Sequence, residues 1–252
     1  MLQLLTTYSK EVFMKQTKLL APLFIGSTLL IFTACGGNSS KEDKPKVETA
    51  KNISEAKENY KALGAFSSVG SSMNSISVTN STKLQKTKSN TCSNGGSATF
   101  NYVESSNSVT FTFSSCKEEN TLIDGTMIMI QSDDEKHTKM QFKNLTMDDG
   151  KTKITSNSLI FEDDSQENWS TIDGDLGVVS KCFSGNFDFE TVAKLYEAQD
   201  NSENLESGIL KLNGATYTFA NPYVTIKAGS EERTLLQSEL EKEMSSSTSC
   251  SE

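Results

Sequence analysis

Two stretches, Ser97-Ala98-Thr99-Phe100-Asn101-Tyr102 and Val109-Thr110-Phe111-Thr112-Phe113, decide the fold by their spacing. Apolar side chains alternate with Thr or Asn at a period of two. In an extended chain successive side chains point to opposite faces, so each stretch reads as a strand with one dry face and one wet face. The same period returns at Phe187 and Phe189 around Asp188, and at Tyr217 and Phe219 around Thr218. It returns again at Val224, Ile226 and Ala228, interleaved with Thr225 and Lys227. One-sided alternation belongs to antiparallel sheet; a parallel sheet wrapped in helices would be apolar on both faces. The reading is mainly β: a single antiparallel β-sheet domain built as a curved meander, half-barrel or sandwich.

Turn chemistry lies between the apolar runs. Asn94-Gly95-Gly96, Asp133-Asp134, Asp148-Asp149-Gly150, Asp163-Asp164-Ser165 and Asn213-Gly214 are residue types that reverse a chain at low steric cost. Met127-Ile128-Met129-Ile130 departs from alternation and predicts a central or covered strand. The phase change between Phe142 and Leu145 predicts a β-bulge. A weak echo links Leu122-Ile123-Asp124-Gly125-Thr126, Thr171-Ile172-Asp173-Gly174-Asp175 and Lys211-Leu212-Asn213-Gly214-Ala215. Its irregular spacing excludes a solenoid, and it predicts repeated strand entries or kinks where glycine takes positive φ.

Helical periods flank this body. Ala56, Tyr60, Leu63 and Ala65-Phe66 recur every three to four residues, predicting a helix over 54–72 with Ser54 as N-cap. Its narrow apolar stripe must pack against something. Leu235, Leu236 and Leu240 predict a second helical segment over 230–244.

The whole-chain balance narrows the function classes. The chain has 252 residues, 24 basic against 33 acidic side chains, and a net charge of −9. Its hydrophobic fraction of 35% and mean hydropathy of −0.43 exclude a polytopic membrane protein. An acidic chain lacks the positive footprint that nucleic-acid binding needs, so no nucleic-acid partner is expected. With one histidine, His137, there is little material for a Ser-His-Asp triad or for His-ligated metal.

The N-terminus reads as an address. Lys15 and Lys18 precede an apolar run from Leu19 to Phe32, followed by the small residues Thr33 and Ala34 and then Cys35. This is the layout of an export signal, and the run is shorter than the roughly 20 residues that a spanning helix needs. Met14 opens a compact signal, so 1–13 reads as a start-site extension and 14–34 as the signal peptide.

Phe32-Thr33-Ala34-Cys35 resembles the lipobox of bacterial lipoproteins, with Phe32 where Leu is commonest. The resemblance covers only the signal. It implies cleavage before Cys35, diacylglycerol on its thiol and a further acyl chain on its amine. The partner it implies is a membrane, reached through the N-terminal lipid. Gly36, in place of Asp, implies outer-membrane sorting, with the periplasmic or surface side left open. An ordinary secretory signal with a buried cysteine is the competing reading. Cleavage removes Lys10, Lys15, Lys18 and Glu11, so the net charge falls by two, from −9 to −11. Residues 35–53 then form the lipidated cysteine and a flexible tether of Gly, Asn, Ser, Lys and Glu, and 54–252 the β-rich domain.

Lipidation of Cys35 leaves four cysteines: Cys92, Cys116, Cys182 and Cys250. An oxidising compartment permits disulfides. Cys92 and Cys116 flank one predicted hairpin, 97–114, which brings them within bridging reach. Cys182–Cys250 follows by elimination.

Catalytic chemistry is sparse. Asp133, Asp134 and Glu135 beside His137 could take a hard cation but read as solvated turn charge. Asp200-Asn201-Ser202-Glu203-Asn204 opens like a calcium loop, yet it has Leu205 where that loop needs glycine. No Gly-x-Ser-x-Gly elbow and no phosphate-cradling glycine loop occurs, so no cofactor is expected. Glycoside hydrolysis needs only two carboxylates, for which Glu162, Asp163 and Asp173 are candidates. Trp169, Tyr196 and Tyr223 could stack on a sugar.

The expectation is therefore a non-enzymatic cell-envelope lipoprotein whose sheet binds an apolar ligand or another envelope protein. A hollow dry face would suit a lipid carrier, and a face filled by the 54–72 helix a scaffold or interaction role. The alternative is a carbohydrate-active enzyme or sugar-binding lipoprotein.

Overall fold

The computed structural model describes residues 47–73, 87–118, 120–132, 134, 136–181, 183–199 and 204–241. The expected signal peptide, 14–34, lies outside the described residues, as do Cys35, Cys182, Cys250, Asp133, Glu135 and 200–203. Helix α1 (Ile53–Met73) comes first. Twelve strands follow: β1 (Thr87–Thr91), β2 (Ser97–Val103), β3 (Ser108–Glu118), β4 (Thr121–Gln131), β5 (His137–Asp148), β6 (Thr152–Asp164), β7 (Trp169–Ser180), β8 (Ser184–Glu197), β9 (Leu205–Leu212), β10 (Ala215–Ala220), β11 (Tyr223–Ala228) and β12 (Glu231–Leu236). They form one open sheet in sequence order, each antiparallel to the next. The protein is mainly β, and among the expected architectures it is the meander.

A row of irregularities crosses the sheet. Pairing shifts register between Phe113 and Cys116 on β3, between Asp124 and Thr126 on β4, and between Thr155 and Leu159 on β6. It shifts again between Ser170 and Gly174 on β7. The predicted bulge between Phe142 and Leu145 is centred on Asn144, whose φ is 48°. Bulges bend a strand and increase its twist, so a row of them curves the sheet.

The sequence echo marks this row. Gly125 and Gly174 have φ of 113° and 123°, and a Cβ there would lie 2.4 Å from the Asn144 carbonyl oxygen and 2.0 Å from that of Ser158. Only glycine admits such an approach. The aspartates beside them accept the N–H groups that the bulges remove from the ladder. Asp124 accepts from Ser115, Asp173 from Thr191, and Asp175 from Asn157 and Ser158. The third copy of the echo, Asn213-Gly214, is instead the β9–β10 turn.

The N-cap differs from expectation. Asn52 caps α1, not Ser54: its Oδ1 accepts the Glu55 N–H, while the Glu55 carboxylate reaches back to the Lys51 N–H. This reciprocal box satisfies two donors at once, which Ser54, already inside the helix, cannot do.

Residues 231–236 are also not helical. They pair with β11, Val224 opposite Leu235 and Ile226 opposite Arg233, and among the described residues of the segment only 237–241 are helical. Gly229, at φ 58°, reverses the chain, and the unpaired backbone of β11 then outweighs the leucine spacing as a local signal.

Helix α1 lies on the apolar side of the sheet, touching strands from β6 to β12. Ala56, Tyr60, Ala62 and Leu63 are buried in one continuous cluster with Ile154, Leu159, Leu176, Leu210 and Tyr217. Tyr60 and Tyr217 place their ring centroids 5.3 Å apart. Met127 faces this core from β4, which is central as expected. Its other face is open, with Ile130 exposed.

Candidate functional site

Strand parity separates the candidate residues. Register pairs His137 with Asp164, Asp164 with Trp169, and Trp169 with Tyr196, so these four share the outer face. Asp163 pairs with Ser170 and Ser170 with Leu195, while Glu197 pairs with Leu205. Ser170, Leu195 and Leu205 are buried, which puts Asp163 and Glu197 on the inner face.

On the outer face Trp169 forms the centre of a polar cluster. Its indole Nε1–H donates to the Glu167 carboxylate over 2.9 Å, the Lys194 ammonium stands 3.6 Å from the ring centroid, and the His137 ring centroid lies at 5.6 Å. The indole is only 6% exposed. A lysine over an aromatic face gains a cation–π attraction and also shields the ring. Trp169 is therefore covered by its own neighbours and offers no free platform for a sugar. Tyr196 and Tyr223, from the same expected trio, do remain exposed.

The carboxylates are distributed by the same parity. Glu162 accepts from Lys139, and its other oxygen lies 3.6 Å from His137 Nε2, beyond hydrogen-bond length. Burial raises the pKa of Asp173 above the usual carboxylate range, opposed by the Thr191 N–H and reinforced by the charges of Glu162 and Glu190. Asp134 accepts from the Ser132 hydroxyl and the Lys136 N–H, which lower its pKa. It is a solvated turn carboxylate, as its sequence context predicts.

The sequence reading missed Glu197. It ends β8, and its Oε1 is buried without a hydrogen-bond partner. Burial, and then the charge of Asp163, push its pKa up to about 7. A carboxyl that holds its proton near neutrality has the protonation state of a general acid. The exposed tyrosines, however, stand on the opposite face of the sheet. No sequence signal singled out Glu197, because its perturbation comes first from burial against neighbouring strands and then from Asp163 on β6.

Cys92 and Cys116 are joined by a disulfide with their Cα atoms 5.4 Å apart. It ties the β1–β2 turn to β3. Together with Glu118 they are the one group of metal-type ligands among the described residues, and the disulfide occupies both sulfurs. No helix among the described residues is long and apolar enough to cross a membrane. No protein-family model, curated protein or solved structure matches the chain.

Proposed function

We propose that the chain is a cell-envelope lipoprotein, anchored through acyl chains on Cys35, whose β domain is a non-catalytic interaction or structural module. The observation that carries the domain half of this reading is that α1 covers the dry face of β6 to β12. A carrier needs a vacant apolar surface for its ligand, whereas here Tyr60, Ala62 and Leu63 occupy that surface. The membrane half rests on the lipobox residues Phe32 to Cys35, with Gly36 favouring the outer membrane.

The carbohydrate reading is the weaker of the two. Hydrolysis requires an acid and a second carboxylate flanking one bond, with the sugar held beside them. Glu197 and Asp163 lie on the inner face, while Trp169 is covered on the outer one.

Fractionation of wild type and Cys35→Ala with palmitate labelling tests the anchor. Labelled wild type in the membrane and unlabelled Cys35→Ala in the soluble fraction are the expected result. Identical partitioning without label overturns it. Mass spectrometry of organic extracts tests the domain: stoichiometric co-purified lipid would restore the carrier.

A further inference from the structure

We infer that the pole of the sheet farthest from the tether docks a basic polypeptide segment of a partner protein. This rests on the interaction-module reading and names the partner's chemistry.

The chain enters the domain at one pole. The Ala50 N–H donates to the Asn213 carbonyl at the β9–β10 turn, and the Glu231 carboxylate, beside the β11–β12 turn, accepts the Ile53 N–H. In a meander alternate turns lie at opposite poles. Tyr196, Tyr223 and Leu236 therefore sit at the other end, about 17 Å away along the six residues of β10.

At that end one outer-face row runs across five strands in register: Tyr196, Ser207, Ala220, Tyr223, Leu236. The two tyrosines are three strand spacings apart, about 14 Å, over a floor of Ser207 and Ala220. Tyr223 is 51% exposed, Leu236 37% and Tyr196 36%. Single exposed apolar residues are ordinary, but three in one row across a small-residue floor make a shallow trough with aromatic walls. Tyrosine is a preferred anchor at interfaces because it buries a large ring with little loss of rotamer freedom.

Charge selects the occupant. Glu206 and Glu239 stand exposed at this pole, and 195–210, 220–226 and 234–241 contain no Lys or Arg. Lys194, two residues before Tyr196, is already engaged by Trp169 and Glu167. A basic segment with an apolar side chain would meet complementary charge around an aromatic trough. A second copy of this acidic pole would be repelled, and so would anionic headgroups, which also lie toward the tethered end under the anchor reading.

The test measures anisotropy of a dye-labelled ten-residue peptide of alternating Lys and Gly with a central Leu, titrated with the full chain in detergent. The same peptide with Glu for Lys is the control. The expected result is salt-sensitive binding of the Lys peptide, weakened at least tenfold by Tyr196→Ala/Tyr223→Ala and by Glu206→Lys. Val179→Ala, an exposed residue at the tethered pole, should leave it unchanged. No binding of the Lys peptide, equal binding of the Glu peptide, or full binding by the double tyrosine variant overturns the inference. So does concentration-dependent dimerisation, by sedimentation, that the tyrosine changes abolish. The substituted side chains are solvent-exposed, and circular dichroism checks that the variants fold. Loss of palmitate label with peptide binding intact would sink the anchor and leave this inference standing.

Discussion

The Tyr217 hydroxyl donates to the Ala56 carbonyl oxygen over 2.6 Å, across 161 residues of sequence. It is the point at which helix and sheet are locked together. Both residues are buried, and desolvation holds the Tyr217 phenol above its usual pKa, so it remains a neutral donor. Tyr217→Phe keeps the ring against Tyr60 and removes only this bond. The expected cost is about 1–2 kcal/mol, read as a lower urea midpoint at unchanged m-value. An unchanged midpoint would mean that the bond does not hold α1 on the sheet.

Closing a loop of this size with the Cys92–Cys116 bridge restricts the unfolded chain by about 3 kcal/mol. Cys92→Ser/Cys116→Ser should lose stability of that order. Wild type in reductant should move toward the variant, and the variant itself should not respond. Equal midpoints for oxidised wild type and the variant would refute a stabilising role.

Glycines 125 and 174 are fixed by a close approach of backbone, whereas Gly150, at φ 81°, has open space where a Cβ would stand. Gly125→Ala and Gly174→Ala should each lose about 3 kcal/mol or more, since left-handed strain and a clash with a carbonyl add. Gly150→Ala should lose about 1 kcal/mol from strain alone. Thermal melts of the three variants give the ranking, and a Gly150 variant as unstable as the other two would contradict it.

Glu197 gives the domain a pH dependence of defined sign. Its pKa rises from 4.5 to about 7 on folding, so the folded state binds the proton more tightly than the unfolded state does. The protonated group favours the folded state most at low pH, and that contribution is lost as pH rises from about 4.5 to about 7. Glu197→Gln should flatten this part of the stability profile and raise stability at pH 8. Denaturant midpoints at pH 5 and 8 check it: an unchanged slope in the variant would assign the effect to another group.

Much of the architecture was legible in local pattern. Period-two alternation and turn residues place the β2–β3 hairpin and most later strands, because a sheet dry on one side imposes its parity on every strand it contains. The Asp-Gly echo was visible too, although its meaning required the neighbouring strand. Leu235 and Leu236 misled the reading because leucine spacing is weak evidence over six residues, and β11 supplied the pairing that decided the matter. Ser54 and Asn52 are both plausible caps by type, and only the Glu55 carboxylate reaching back distinguishes them.

The sequence by itself determined a one-sided antiparallel sheet and an acidic chain, and it placed Cys92 and Cys116 at the two ends of one hairpin, where they pair. These follow from spacing and composition, which act along the chain. Tertiary structure decided that α1 covers the dry face of β6 to β12, that Lys194 covers Trp169, and that Glu197 and Asp163 share the inner face. It also decided that Tyr196 and Tyr223 share one row. Each of these depends on which strands become neighbours, and on the face each side chain takes once the bulges have reset the register.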